Sequence, residues 1–129
     1  MCGIAAIWGD TDPETVSSVL DAMHHRGPDG RGHHLIHSSG GSPATLGHTR
    51  LAIIDPSGGR QPLVDRDEHT GLVCNGMIYN DRALRAEQGD RGFLTESDSE
   101  SVLQGFLCHG PAIVDRLDGM FAFFLADTD

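Results

Sequence analysis

The 129-residue chain has no lysine: all nine basic residues are arginine, against nineteen acidic residues and a formal net charge of −10. Schiff-base and P-loop lysine chemistries are therefore excluded from this chain. So large a deficit of positive charge argues against nucleic-acid and anionic-membrane partners, which are themselves polyanions. Aromatic residues are also scarce, with five Phe, one Trp and one Tyr, so any core must be mainly aliphatic. The three cysteines, Cys2, Cys74 and Cys108, form no CxxC pair and leave an odd thiol under any pairing. That excludes a fully paired disulfide scaffold and points to a reducing compartment. No apolar run approaches the roughly 20 residues of a membrane span. The stretch Ile4 to Trp8 has no basic flank and meets Asp10 at once, unlike a signal peptide. A soluble, cytoplasmic, single domain over residues 1–129 is expected.

Seventeen Gly and six Pro predict many turns. Gly3 to Trp8 reads as a buried strand. Asp12, Pro13 and Glu14 form a helix start, and Val16, Val19, Leu20 and Met23 give that helix one apolar stripe ending near His24 and His25. Arg26 to Gly30 is turn chemistry. Strands are predicted over His33 to His37 and Thr45 to Ile54, with a loop at Ser38–Pro43 and another at Pro56–Pro62. Gly71 to Cys74 and Met77 to Tyr79 read as strand material broken at Asn75-Gly76, a dipeptide that favours tight turns. Asp81 is a candidate cap for a short helix to Glu87, and Asp98 for a longer one with Val102, Leu103 and Phe106 on one face. A third helix is expected over Pro111 to Leu117 and a closing buried strand over Gly119 to Ala126, its Phe121, Phe123 and Phe124 in the core. Strand runs with helices grouped between them indicate an α+β fold.

Cys2 stands directly behind Met1. Removing Met1 would leave one residue with a thiol of pKa about 8.5 and an α-amine of about 7.7–8.0, a nucleophile with its own base attached. Position alone leaves open that Cys2 is simply a small packed residue.

The rest of the chain bears on that choice. Met1-Cys2-Gly3-Ile4, Arg26-Gly27-Pro28-Asp29 and Gly47-His48-Thr49-Arg50-Leu51-Ala52-Ile53-Ile54-Asp55 come first. Gln61-Pro62-Leu63, Asn75-Gly76 with Ile78-Tyr79-Asn80, Ser97-Asp98-Ser99-Glu100 and Leu117-Asp118-Gly119-Met120-Phe121-Ala122 follow in order. Together these resemble the class II glutamine amidotransferase domain found at the start of asparagine synthetases. The resemblance implies a four-layer αββα sandwich of the N-terminal nucleophile type: two packed antiparallel sheets with helices outside. It implies that Cys2 attacks the side-chain amide of glutamine. The Asn75 side chain and the Gly76 backbone N–H would stabilise the oxyanion, Arg50 would clamp the substrate carboxylate, and Asp98 would receive its ammonium. Arg26 would order the loop beside the nucleophile. Asp98 as a helix cap and Asn75-Gly76 as a plain hairpin turn stand as alternatives.

Two features depart from the family pattern. Where the family motif continues Asn-Gly-Glu, this chain has Met77, whose thioether cannot neutralise an ammonium. The domain is also short, so C-terminal strands are expected to be missing, leaving a sheet edge open to a partner or a second copy. The resemblance implies a separate ATP-dependent synthetase partner for the released ammonia and no cofactor within this chain. Two other readings remain: an inactive interaction subunit of the same fold, and an N-terminal-cysteine amide hydrolase for substrates without a free α-ammonium. His33, His34 and His37 have no Cys or carboxylate at supporting spacing, so no metal site is expected. Cys74 and Cys108 are expected to be core residues.

Overall fold

A computed structural model describes residues 1–9, 12–53, 58–89 and 91–128. The fold is α+β. Its strands are β1 (Gly3–Trp8), β2 (Gly30–Ile36), β3 (Ala44–Arg50), β4 (Leu63–Val64), β5 (Thr70–Ile78) and β6 (Gly119–Asp127). Its α-helices are α1 (Pro13–Ala22), α2 (Asp81–Gln88) and α3 (Ser99–His109). Two antiparallel three-stranded sheets form, ordered β1-β3-β2 and β4-β5-β6.

Period-two alternation sorts the side chains of each strand. Ile36, Ala44 and Leu46 of the first sheet meet Val73 and Ala126 of the second in one buried cluster. The sheets approach so closely that a Cβ on Gly71 would lie 2.5 Å from Ile36 Cδ1. The opposite face of the second sheet presents Leu72, Cys74 and Ile78 to Leu84 of α2 and Val102 and Leu103 of α3. On the far side of the first sheet, α1 buries Val16 and Leu20, and Gly47 of β3 leaves room for the Leu20 side chain. Asp12 caps α1 as expected, accepting from the Thr15 N–H at 2.9 Å.

Several sequence expectations are corrected. Asn75-Gly76 is not a turn: β5 runs unbroken through it, paired with Ala122 and Phe121 of β6. Tight-turn propensity gives way there to a nine-residue ladder. Asp81 is not the cap of α2; Asn80 holds that position, and Asp81 instead pairs with Arg85 one turn later at 2.8 Å. Asp98 precedes α3 in a helical conformation and makes no side-chain cap, because capping needs an extended backbone at that residue. The strand expected over Thr45 to Ile54 ends at Arg50, and Ile54 lies outside the described residues, as do Asp55, Pro56 and Asp10. The expected third helix is a 3₁₀ segment, Gly110–Arg116. β6 is only partly buried: Ala126 is covered by the first sheet, but Met120 and Phe124 on the same face are 71% and 45% exposed, so Phe124 is not a core residue. β2 stops before His37, so His33 and His37 do not share a strand. Cys74 is buried and Cys108 half-buried.

Among the described residues, no helix is long and apolar enough to cross a membrane. No group of three His, Cys, Asp or Glu among them could hold a metal ion.

Candidate active site

Cys2 precedes β1, whose pairing with β3 aligns Gly3 with Thr49. The Gly3 N–H donates to Thr49 Oγ1 at 3.2 Å, and that hydroxyl donates to the Met23 carbonyl at 3.1 Å, tying the strand start to the end of α1. Arg26 Nε donates to the Cys2 carbonyl at 3.1 Å. The Cys2 thiol accepts from the Leu51 N–H at 3.3 Å and faces the Leu51 carbonyl at 3.8 Å. The 26–29 loop reaches Cys2 because Gly27 lies flat on β3; a Cβ there would sit 2.4 Å from the Arg50 nitrogen. Asp29 completes the attachment by accepting from the Ala52 N–H at 2.9 Å.

The facing wall is β5. Its even-numbered backbone groups point away from β6, and their partners run in sequence. Thr70 N–H donates to Asp65 Oδ1 at 2.9 Å. Leu72 pairs with Leu63 of β4. Cys74 N–H donates to Gln61 Oε1 at 2.6 Å, while Gln61 Nε2 donates back to the Cys74 carbonyl at 3.2 Å. Ile78 N–H donates to Asp98 Oδ2 at 2.6 Å. Alternation places the Gly76 N–H on this same edge, between the Gln61 and Asp98 attachments. Gly76 has φ 151°, and a Cβ on it would lie 2.1 Å from the Met120 carbonyl oxygen, so only glycine fits.

Between the two walls lies a cavity of about 450 Å³. Cys2, Arg50, Asn75, Gly76, Met77 and Asp98 all line it, so the residues singled out from the sequence converge, with Arg26 behind Cys2. Arg50 and Asp98 supply one charge of each sign. Burial raises the pKa of Asp98 above its ordinary value, opposed by the hydrogen bond from Ile78. Met77 (40% exposed) and Met120 make part of the wall apolar.

Other residues with structural parts in this site carried no role in the sequence reading. His48 is 1% exposed, lines the cavity and faces the Cys74 backbone across the sheets. Burial lowers its pKa to about 4, and the neighbouring Arg50 charge pushes the same way. Gln61 belongs to a matched segment, yet nothing in its local pattern indicates that its amide stands in for a strand. Glu100 accepts from the Leu94 and Thr95 N–H groups at 2.7 Å each, and Arg85 Nη2 donates to the Ser97 carbonyl at 2.6 Å. These two side chains fasten the loop that delivers Asp98. Burial pushes the thiol of Cys74, the second cysteine of the cavity, up to about 11.

Residues 1–129 match a family described as a glutamine amidotransferase domain. The chain is 41% identical over 133 residues to glutamine-hydrolyzing asparagine synthetases 3 and 2 of Arabidopsis thaliana, covering 99% of this chain and 22% of each relative. A nodule asparagine synthetase of Pisum sativum is 38% identical over the same extent. The chain thus spans about a fifth of the length of the relatives it matches. It belongs to the glutamine amidotransferase domain family and is asparagine synthetase-like.

Proposed function

We propose that this domain hydrolyses the side-chain amide of glutamine through a thioester on Cys2 and releases ammonia for an ATP-dependent synthetase. The observation that carries the reading is the meeting of Cys2, Asn75, Gly76, Arg50 and Asp98 around one cavity. Loss of Met1, which is 72% exposed, frees the Cys2 α-amine as a base for the adjacent thiol. The thiolate attacks the amide carbon, and the carbonyl π electrons move onto oxygen. That oxyanion lies against the Asn75 amide and the Gly76 N–H, donors fixed before the reaction begins. Collapse breaks the C–N bond as the α-ammonium returns its proton to the leaving nitrogen, giving ammonia and a thioester. Water then hydrolyses the thioester to glutamate and restores the thiol. Arg50 presents a planar two-pronged donor to the substrate carboxylate, and Asp98 accepts from its ammonium.

The packing order of α1, first sheet, second sheet, then α2 with α3 supports a four-layer αββα sandwich of the N-terminal nucleophile type. No cofactor enters this reaction, and residues 1–129 act as a single domain. The open outer edges of β1 and β6, both terminal in their sheets, suit an added strand from a partner or a second copy.

Intact mass and glutamine hydrolysis of wild type and Cys2→Ala test the proposal. Processed wild-type protein should release ammonia and the variant should release none. A processed wild type without Cys2-dependent release overturns it.

One observation favours a second reading. Met77 stands where the family has a carboxylate, leaving Asp98 as the sole carboxylate among the described residues of the cavity. A glutamine derivative with an acylated α-amine needs only one acceptor for its N–H and gains an apolar wall. Faster hydrolysis of N-acetylglutamine than of glutamine would establish this substrate preference; the reverse order removes it.

A further inference from the structure

The Gly76 amide can serve an oxyanion only if its peptide is held in place, and β5 lacks a β4 strand partner where holding matters most. Pairing with β4 covers Gly71 and Leu72 alone. Beyond them the edge would be bare at Cys74, one residue before Asn75. The Gln61 side chain fills that position. Its amide has the donor and acceptor of a peptide unit, and it closes both bonds on Cys74, at 2.6 Å to the N–H and 3.2 Å to the carbonyl. Gln61 is itself seated against the other sheet. A Cβ on Gly32 of β2 would fall 2.6 Å from the Gln61 carbonyl oxygen, so the backbones there touch. From the same sheet His48 reaches the Cys74 backbone. Gln61, seated against the sheet that follows Cys2, therefore grips the peptide next to Asn75, with His48 of that sheet facing it.

We propose that Gln61 is a positioning residue: by replacing a strand at Cys74 it fixes the distance between the Cys2 thiol and the Asn75–Gly76 donors. This rests on the thioester reading of the site. Gln61 lines the cavity, but both ends of its amide are engaged on Cys74, which leaves the charged end of the substrate to Arg50 and Asp98 in the proposed reading. Its removal should therefore act on the transition state more than on substrate affinity. Displacement of reacting groups by about 1 Å costs on the order of a hundredfold in rate.

Gln61→Leu removes both bonds at nearly constant volume, and Gln61→Glu keeps an acceptor for the Cys74 N–H while losing the donor to its carbonyl. For glutamine hydrolysis, Gln61→Leu should lower kcat by roughly 30- to 100-fold with KM within about threefold of wild type. Gln61→Glu should recover activity relative to Gln61→Leu as pH falls, because a protonated carboxyl again offers one donor and one acceptor. Alkylation of Cys2 by iodoacetamide needs no oxyanion donors and should proceed at the wild-type rate in both variants. Amide hydrogen exchange, read without turnover, should quicken at Cys74 and Gly76 in Gln61→Leu.

An unchanged kcat with unchanged exchange overturns the proposal. A fall in kcat accompanied by an equal fall in Cys2 alkylation also overturns it, since that pattern is general loss of structure. Wild type without Cys2-dependent hydrolysis would defeat the thioester reading and this role with it; active wild type with an unaffected Gln61→Leu defeats this role alone.

Discussion

The two walls of the cavity are assembled by different physics. The Cys2 wall relies on close approach at glycine: Gly27 lies against the Arg50 backbone and Gly3 against the Thr49 hydroxyl, where a Cβ would fall 2.4 and 2.5 Å from its neighbours. The β5 wall relies on side chains bonded to main chain: half-buried Gln61 on Cys74, and buried Asp98 on Ile78 and Glu100 on the 94–95 segment. The first wall is mainly steric, with Arg26 on the Cys2 carbonyl and Asp29 on the Ala52 N–H as its side-chain bonds. The second is polar, and its fit depends on each donor keeping its acceptor. An amide-hydrolysing site can use both, because a nucleophile at a chain end needs its strand anchored whereas oxyanion donors need orientation.

The largest effect that would break this contrast is at Gly27. Gly27→Ala forces a methyl into the Thr49–Arg50 backbone, which neither a rotamer change nor a flexible side chain can relieve. We expect a loss of about 3 kcal/mol in urea unfolding, at the upper end for overpacking. A change below about 0.5 kcal/mol would show that the loop lifts freely and that the wall is not steric.

His48 joins the two walls, and its predicted effect is in pH. Its folded pKa of about 4 lies below the ordinary 6.5, so between these values the unfolded chain binds the proton more tightly. The stabilisation is fully present above pH 6.5 and is lost as pH falls towards 4, by roughly 3 kcal/mol. Unfolding measured across that range on wild type and His48→Leu should show a steeper loss of stability towards low pH in wild type. Equal slopes would remove His48 as its source.

Asp98 tests the polar wall directly. Asp98→Ala leaves the buried Ile78 N–H without its acceptor and should cost about 1–3 kcal/mol. Asp98→Asn keeps an acceptor oxygen there and should cost less, while raising KM for glutamine. Because burial raises the Asp98 pKa, ionising it opposes folding. Its contribution is therefore greatest at low pH and declines as pH rises through that raised value, a slope Asp98→Asn should lack. If Ala and Asn variants are equally stable, the Ile78 bond contributes nothing.

The same contrast explains what could be read from the sequence. Steric elements left local signatures: Pro13 and the Val16/Leu20 spacing gave α1, and Gly3 to Trp8 gave β1 with its ends correct. Cys2, Arg50, Asn75, Gly76 and Asp98 were found through ordered motifs and converge on one cavity. The polar attachments of Gln61 and Asp98 are not legible, since each joins residues far apart in the chain. Gln61 and Cys74 are thirteen apart, Asp98 and Ile78 twenty. The extended form of Asn75-Gly76 is hidden for the same reason: its local propensity is for a turn, and only pairing with β6, more than forty residues later, overrides it.

Met77 gives the smallest effect and the sharpest question about the polar wall. It neighbours Ile78, whose N–H occupies one oxygen of Asp98, so a substrate ammonium meets a carboxylate already partly engaged. Met77→Glu would place a second carboxylate along the same cavity. Without substrate the two negative charges repel and raise each other's pKa; an ammonium between them relieves that repulsion. Because residue 77 is 40% exposed, solvent screens the gain, and the low end for a charge-assisted contact applies. That corresponds to a KM for glutamine about tenfold lower, with kcat changed little, since the ammonium lies away from the reacting amide. N-acetylglutamine, which has no ammonium, should gain nothing from the same substitution. An unchanged or higher KM for glutamine would mean that Asp98 alone satisfies the substrate amine and that the apolar residue at 77 does not limit its binding.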